Sequence, residues 1–171
     1  MKSYGGTVVN EAHLHRIVNH FPILFPIAGV IIMIVGMVFR SAAVRRTALL
    51  MFIIGALMAI AAMVSGEGAE DIVEELRGVE EYFVETHEEA AERFSIVSYV
   101  LGGLSLLGLW VSFKHESLAR IMNGVILAFA LVALYFAMEA GTTGGEIRHP
   151  EIRQGNSLSM VMESDESSSV F

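Results

Sequence analysis

Cysteine is missing from this 171-residue chain, and proline, tryptophan and basic residues are scarce. The lack of cysteine excludes disulfides, thiolate metal sites and iron–sulfur clusters, so any metal must use His, carboxylate, Met, Tyr or backbone ligands. Lys and Arg number 11 against 19 Asp and Glu, and the formal net charge is −8. This acidity argues against nucleic acid as a partner. A nucleophile elbow and a phosphate-cradling glycine loop are also absent, which disfavours the common hydrolase and nucleotide-binding enzymes.

Long apolar runs are what the chain has in abundance. Hydrophobic residues make up 54% of it and its mean hydropathy is +0.58, above the values of ordinary soluble domains. Four runs of roughly 17 or 18 residues are long enough to cross a ~30 Å hydrocarbon core as helices. The first 20 residues lack a basic start and an apolar core, so we expect no cleavable signal peptide. The predicted spans are about 22–40, 47–65, 95–113 and 120–139.

The predicted fold is all-α, an integral membrane four-helix bundle with an extended helical hairpin between spans two and three. Residues 1–153 form the membrane domain, with a short interfacial helix at 10–20 and the hairpin at 66–94. The segment that follows span four is rich in glycine and is predicted to turn. The tail, residues 154–171, is Ser-rich and acidic and is expected to be disordered alone in water.

The basic residues predict the orientation. Arg40, Arg45 and Arg46 lie in or beside the link between spans one and two, and Lys114 and Arg120 flank the link between spans three and four. Cytoplasmic loops carry an excess of Lys and Arg. We therefore expect a multi-pass protein of the bacterial inner membrane with both termini periplasmic.

Histidines converge on the periplasmic side of this topology. His13, His15 and His20 precede span one, His87 precedes span three and His149 follows span four. A four-helix bundle brings such segments together at one end. Each histidine alone is more simply explained by the interface or a turn, but the set favours a ligand-binding role.

Two spans carry stripes of small residues at helical spacing. Such stripes allow helices to approach closely, and they also leave room for a flat cofactor; close packing is the commoner explanation. They are Gly55, Ala59, Ala62 and Gly66 in span two, and Ser98, Gly102, Ser105 and Gly108 in span three.

The motif HRIVNHFPI at 15–23 resembles the entry motif of bacterial membrane proteins grouped as domain of unknown function 2231. SGEGAED after span two, His87, and GGEIRHPEI after span four follow in the order of that family. The resemblance covers residues 15 to about 153. Arg16 replaces a usual proline, and Gly-Gly-Glu-Ile-Arg replaces a more apolar run. The resemblance implies a four-span fold and candidate positions, not an activity.

A b-type haem module is the first functional hypothesis. Haem in a bundle needs axial imidazoles, small residues beside the porphyrin and cations near the propionates. His20 and His87 are predicted as an axial pair, with His15 and His149 as a second pair or supporting groups. Such a module would pass electrons between quinol and a periplasmic acceptor. The cations available for propionates are Arg16, Arg93, Arg148 and Arg153.

Two alternatives remain open. Carboxylates near the same end, together with the histidines, suit a Zn, Fe, Mn or Cu ion; they are Glu67, Glu70, Asp71 and Glu139. No His-Glu-x-x-His zincin pattern occurs in the chain. The other alternative is a non-catalytic accessory subunit of a larger membrane complex, in which these groups form a hydrogen-bonded cap. Membrane lipid and other membrane or periplasmic subunits are the expected partners.

Overall fold

The computed structural model describes residues 18–74 and 81–148, with side chains described except at 67–74, 81 and 148. Within these ranges the chain forms four helices: α1 (Phe21–Val38), α2 (Ala42–Glu74), α3 (Glu81–Lys114) and α4 (Glu116–Arg148). This confirms the all-α four-helix fold.

Short links set the topology. Residues 39–41 join α1 to α2, and His115 alone joins α3 to α4. Links this short make neighbouring helices antiparallel, and packing of α1 against α4 closes the bundle. We call the end with these two links the inner end, and the opposite one the outer end.

The exterior of the bundle is apolar. All four helices are long and apolar enough to cross a membrane. Large side chains such as Ile31, Val64, Trp110 and Tyr135 lie more than half exposed along them. Apolar patches of this extent are rare on soluble monomers, whereas lipid covers them at no cost. The fold is that of a multi-pass membrane protein.

The start of α1 suits its two prolines. Pro22 lies in the first turn, where the missing N–H would have no helical partner anyway. Pro26, one turn deeper, is buried against α2, and its ring lies 3.0 Å from where a Cβ on Gly55 would be. A side chain at Gly55 would therefore push the two helices apart.

The core consists of two layers of side chains. The larger layer joins all four helices through Met33, Phe52, Leu101 and Ile126, with alanines of α4 beside them. A smaller layer near the outer end joins α3 and α4 through Ala90, Phe94, Ala137 and Ala140, and Ile23 of α1 packs against it. The smaller layer determines which residues of α1, α3 and α4 lie side by side at the outer end.

The hairpin between spans two and three has two helical arms. Helix α2 extends to Glu74, past the Gly66 end of its candidate membrane span, and α3 begins at Glu81, before the start of the predicted span at 95. Helices of 33 and 34 residues reach about 50 Å at roughly 1.5 Å per residue, longer than the hydrocarbon core. The predicted turn near Gly78 lies outside the described residues, as do the interfacial helix up to residue 17 and the tail.

The segment after span four does not turn where predicted. Helix α4 continues to Arg148, so the turn expected from 141 onward is wrong in its described part. Gly144 explains the difference, because a Cβ there would lie 2.9 Å from Cε1 of His87. The glycine permits close approach of α3, and packing of this kind outweighs its weak helix propensity.

Candidate functional site

His87 is the best-positioned histidine of the described chain. It lies half-buried between α3 and α4, with its ring over Gly144. Its Nδ1 is 3.1 Å from the hydroxyl oxygen of Thr143. The imidazole is therefore held by contacts with a neighbouring helix, as a ligating histidine requires.

The tautomer of His87 depends on where the Thr143 hydroxyl proton goes. That hydroxyl is 3.2 Å from each of two backbone carbonyls of α4, those of Glu139 and Ala140. A carbonyl only accepts, and a hydroxyl has one proton. When that proton goes to a carbonyl, Nδ1–H of His87 must be the donor. In the neutral ring the lone pair is then on Nε2.

His20 lies at the same end as His87. It immediately precedes α1 and is exposed, and its side chain makes no capping hydrogen bond. Ile23, three residues later, packs on the outer layer that contains Ala90. Since His87 is three residues before Ala90, both histidines lie just outside this layer.

Arg93 is engaged in an ion-pair network on α3 and α4. Its guanidinium lies 2.8 Å from a carboxylate oxygen of Glu89 and 3.1 Å from one of Glu139. Glu139 thereby has the partner that an ionisable group near the membrane needs. Because Arg93 is already paired with Glu139, it is less suited to bind a haem propionate. Glu139 is likewise less suited to bind a metal ion.

Several predicted site residues lie outside the described side chains. His15, Arg16, His149 and Arg153 lie outside the described residues, and Arg148, Glu67, Glu70 and Asp71 are described by their helical backbone alone. Among the described side chains no three His, Cys, Asp or Glu residues cluster as metal ligands.

The small-residue stripes are occupied by neighbouring helices. A Cβ on Gly102 would lie 2.5 Å from that of Ala56, and one on Gly108 would lie 2.7 Å from Ile126. Ser98 and Ser105 are buried in the same stripe of α3. Of the two functions predicted for these stripes, the described structure displays close packing, and α2 and α3 leave no slot for a flat cofactor between Ala56 and Gly102.

The inner end holds polar residues that sequence reasoning did not assign to a site. Arg45 and Asn123 are both buried there and line one cavity. The basic residues of this end served only to predict orientation. The sequence does contain one signal for a site at this end, because Asn123 places a polar carboxamide within an apolar span.

No protein-family model, curated protein or solved structure matches this chain. The resemblance to domain of unknown function 2231 therefore depends on the sequence motifs alone.

Proposed function

We propose that the protein is a b-type haem-binding electron-transfer module of the bacterial inner membrane, a member of the domain of unknown function 2231 family, with its histidine ligands at the periplasmic end. One observation carries the proposal: His87 is held between α3 and α4 with its Nδ1 against Thr143. A second-sphere hydrogen bond at Nδ1 orients an imidazole for ligation through Nε2.

The haem would lie at the outer end, because α2 and α3 pack closely against each other in the middle of the bundle. His87 and His20, which both lie just outside the outer layer, would supply nitrogen ligands to the iron. His15 and His149 would act as further ligands or supporting groups. Arg16, Arg148 and Arg153 would offer cations to the propionates, while Arg93 would orient α3 against α4 through its carboxylates. When bound, haem supplies one-electron transfer between a quinol and a periplasmic acceptor.

A second candidate is a non-catalytic accessory subunit of a larger membrane complex. The Glu89–Arg93–Glu139 network favours it, because these groups satisfy one another without a cofactor. The tightly packed stripe between α2 and α3 favours it too. A site for a Zn, Fe, Mn or Cu ion is a third possibility, with no observation that favours it over these two.

Haem content separates these functions. We expect protein purified from haem-replete cells to bind about one or two haems per chain, measured by the pyridine haemochrome assay. His87→Ala should lose most of the haem. Thr143→Val, which removes the hydrogen bond and keeps the side-chain shape, should retain haem with a shifted reduction potential.

His115→Ala is the matched control, because His115 is exposed at the inner end and should have no effect on haem content. Circular dichroism and gel filtration establish that each variant is folded. Haem-free wild-type protein, or equal haem in the wild type and in His87→Ala, would overturn the haem proposal. A haem-free and metal-free protein would favour the accessory subunit.

A further inference from the structure

A cavity of about 320 Å³ lies at the inner end, remote from His20 and His87. It is bounded by the start of α2, the end of α3 and the start of α4, so three of the four helices contribute to it. Its volume is at the lower end of the range for small-molecule sites. A single phosphate with its ester substituents is the kind of group that such a volume admits.

The charges lining the cavity are mainly positive. Arg45, Arg46 and Lys114 are the permanent cations, His115 is a further basic group and Glu116 is the one carboxylate of the lining. None of these cations forms an ion pair within the described residues. The lining therefore has an excess of positive charge that an anion would neutralise.

Arg45 is the most unusual of these cations, because it is only 6% exposed. Within the described residues its side chain makes one hydrogen bond, from Nη1 to the carbonyl of Gly36, at the long distance of 3.5 Å. A guanidinium has five N–H donors, and a buried charge with so few partners is costly. A bound anion at the cavity would supply the missing acceptors.

Arg46 is fixed beside it by α3. Its Nε donates to the Ser112 hydroxyl at 3.0 Å and its Nη2 to the Ser112 carbonyl at 2.6 Å. The guanidinium carbon lies 4.0 Å from the centre of the Phe113 ring. These contacts hold the side chain in one orientation, so little conformational entropy is lost when it binds an anion.

Asn123 gives an independent indication of a ligand. It is 2% exposed, lines the same cavity, and its Oδ1 has no hydrogen-bond partner. Rotation of the Asn123 carboxamide by half a turn exchanges its oxygen and its NH₂ group. The side chain can therefore present N–H donors at the position of Oδ1. A buried amide without a partner is unfavourable unless something binds it.

The helix dipoles add to this charge. Helices α2 and α4, of 33 residues each, both begin beside the cavity. Free N–H groups and partial positive charge at such N-termini attract anions.

We propose that this cavity binds a phosphate-bearing anion, either the phosphodiester headgroup of an anionic lipid or free phosphate. Arg45, Arg46 and Asn123 would donate hydrogen bonds to its oxygens, and Lys114 would contribute charge at the rim. A lipid headgroup reaches the site directly if the inner end is at the membrane surface, where basic pockets between helices accept such groups. The site is separate from the proposed haem site and does not depend on it.

Native mass spectrometry of the delipidated protein in detergent tests this proposal. The protein is titrated with phosphatidylglycerol, phosphatidylcholine or inorganic phosphate. We expect binding of phosphatidylglycerol at lower concentration than phosphatidylcholine. Binding of inorganic phosphate as well would show that the phosphate group alone suffices. No inorganic phosphate binding would assign the site to a lipid headgroup.

The variants are Arg45→Gln and Asn123→Leu, with Arg120→Gln as the control. Arg120 is an exposed cation at the same end that does not line the cavity. Arg45→Gln and Asn123→Leu should each weaken anion binding about tenfold or more, because each removes one charge-assisted hydrogen bond. The control should change it little.

Asn123→Leu separates binding from folding, because it replaces an unpartnered amide by an apolar group of similar size and should leave the ligand-free bundle folded. Glu116→Gln should strengthen binding, since it removes the lining carboxylate. Equal binding of the two lipids without phosphate binding, or equal affinity in the wild type, Arg45→Gln and Asn123→Leu, would overturn the proposal. Equal weakening by Arg120→Gln would do so too, since it would show general surface attraction.

Discussion

At the scale of single residues, Arg40 has an uncommon backbone conformation. Its φ is 53°, in the left-handed region, at the end of α1. Its amide donates to the Met37 carbonyl, and the amide of Ser41 donates to that of Gly36. These two bonds form a Schellman motif, in which glycine is the usual residue at the left-handed position. Arginine there keeps a positive charge at the inner end, which agrees with the cytoplasmic position predicted for this link.

We predict that Arg40→Gly raises the free energy of unfolding by about 1 kcal/mol, because glycine adopts this φ without the clash between Cβ and a backbone oxygen. Arg40→Ala removes the same charge and keeps the Cβ, so it should give no such gain. Thermal unfolding in detergent compares the two variants with the wild type. Equal stability of the glycine and alanine variants would contradict this explanation.

The side-chain contacts of individual histidines and arginines could not be predicted from the sequence. His87 and Thr143 are 56 positions apart, and the contact depends on how far α3 and α4 are rotated about their axes. The sequence did predict that His20 and His87 lie at one end of the bundle, since this needs only the direction of each helix. It gave no indication that Arg93 is paired with two carboxylates.

At the scale of helices, α3 packs closely on α2 through the face that contains Gly102. Gly102 meets Ala56, whereas a Cβ on the adjacent Gly103 would have no atom within 4 Å. The two glycines are consecutive in α3 and differ chiefly in what they face. They therefore form a matched pair for testing the packing.

Gly102→Ala should destabilise the bundle by about 1–3 kcal/mol, since the added methyl group forces α2 and α3 apart. Gly103→Ala should be neutral or stabilising by up to about 1 kcal/mol, because alanine favours the helix. Chemical unfolding monitored by circular dichroism measures both. The prediction fails if Gly103→Ala is as destabilising as Gly102→Ala.

The existence of the four helices could be predicted from long apolar runs, but the end of α4 could not. Local preference argued for a turn at the Gly-Thr-Thr-Gly-Gly run that begins at Gly141. Contact between Gly144 and His87 decided otherwise. Packing of this kind depends on a second helix and so leaves no local sequence signal.

At the scale of the whole molecule, the bundle has two chemically different ends. The outer end carries His20, His87 and the Glu89–Arg93–Glu139 network, and the inner end carries the cationic cavity. An apolar exterior separates the two. Some of the basic residues that predict orientation also line the cavity, so the predicted sidedness and the proposed anion site depend on the same charges.

Sidedness is the measurement that tests this account most directly, and the chain has no cysteine to interfere with it. Single cysteines are introduced at two exposed positions, Glu88→Cys at the outer end and His115→Cys at the inner end. Intact bacterial cells with a permeable outer membrane are treated with a maleimide that cannot cross the inner membrane. We predict that Glu88→Cys is labelled in these cells and that His115→Cys is labelled only after lysis. Labelling of both in intact cells, or of His115→Cys alone, would contradict a bundle that crosses the membrane with its histidines outside.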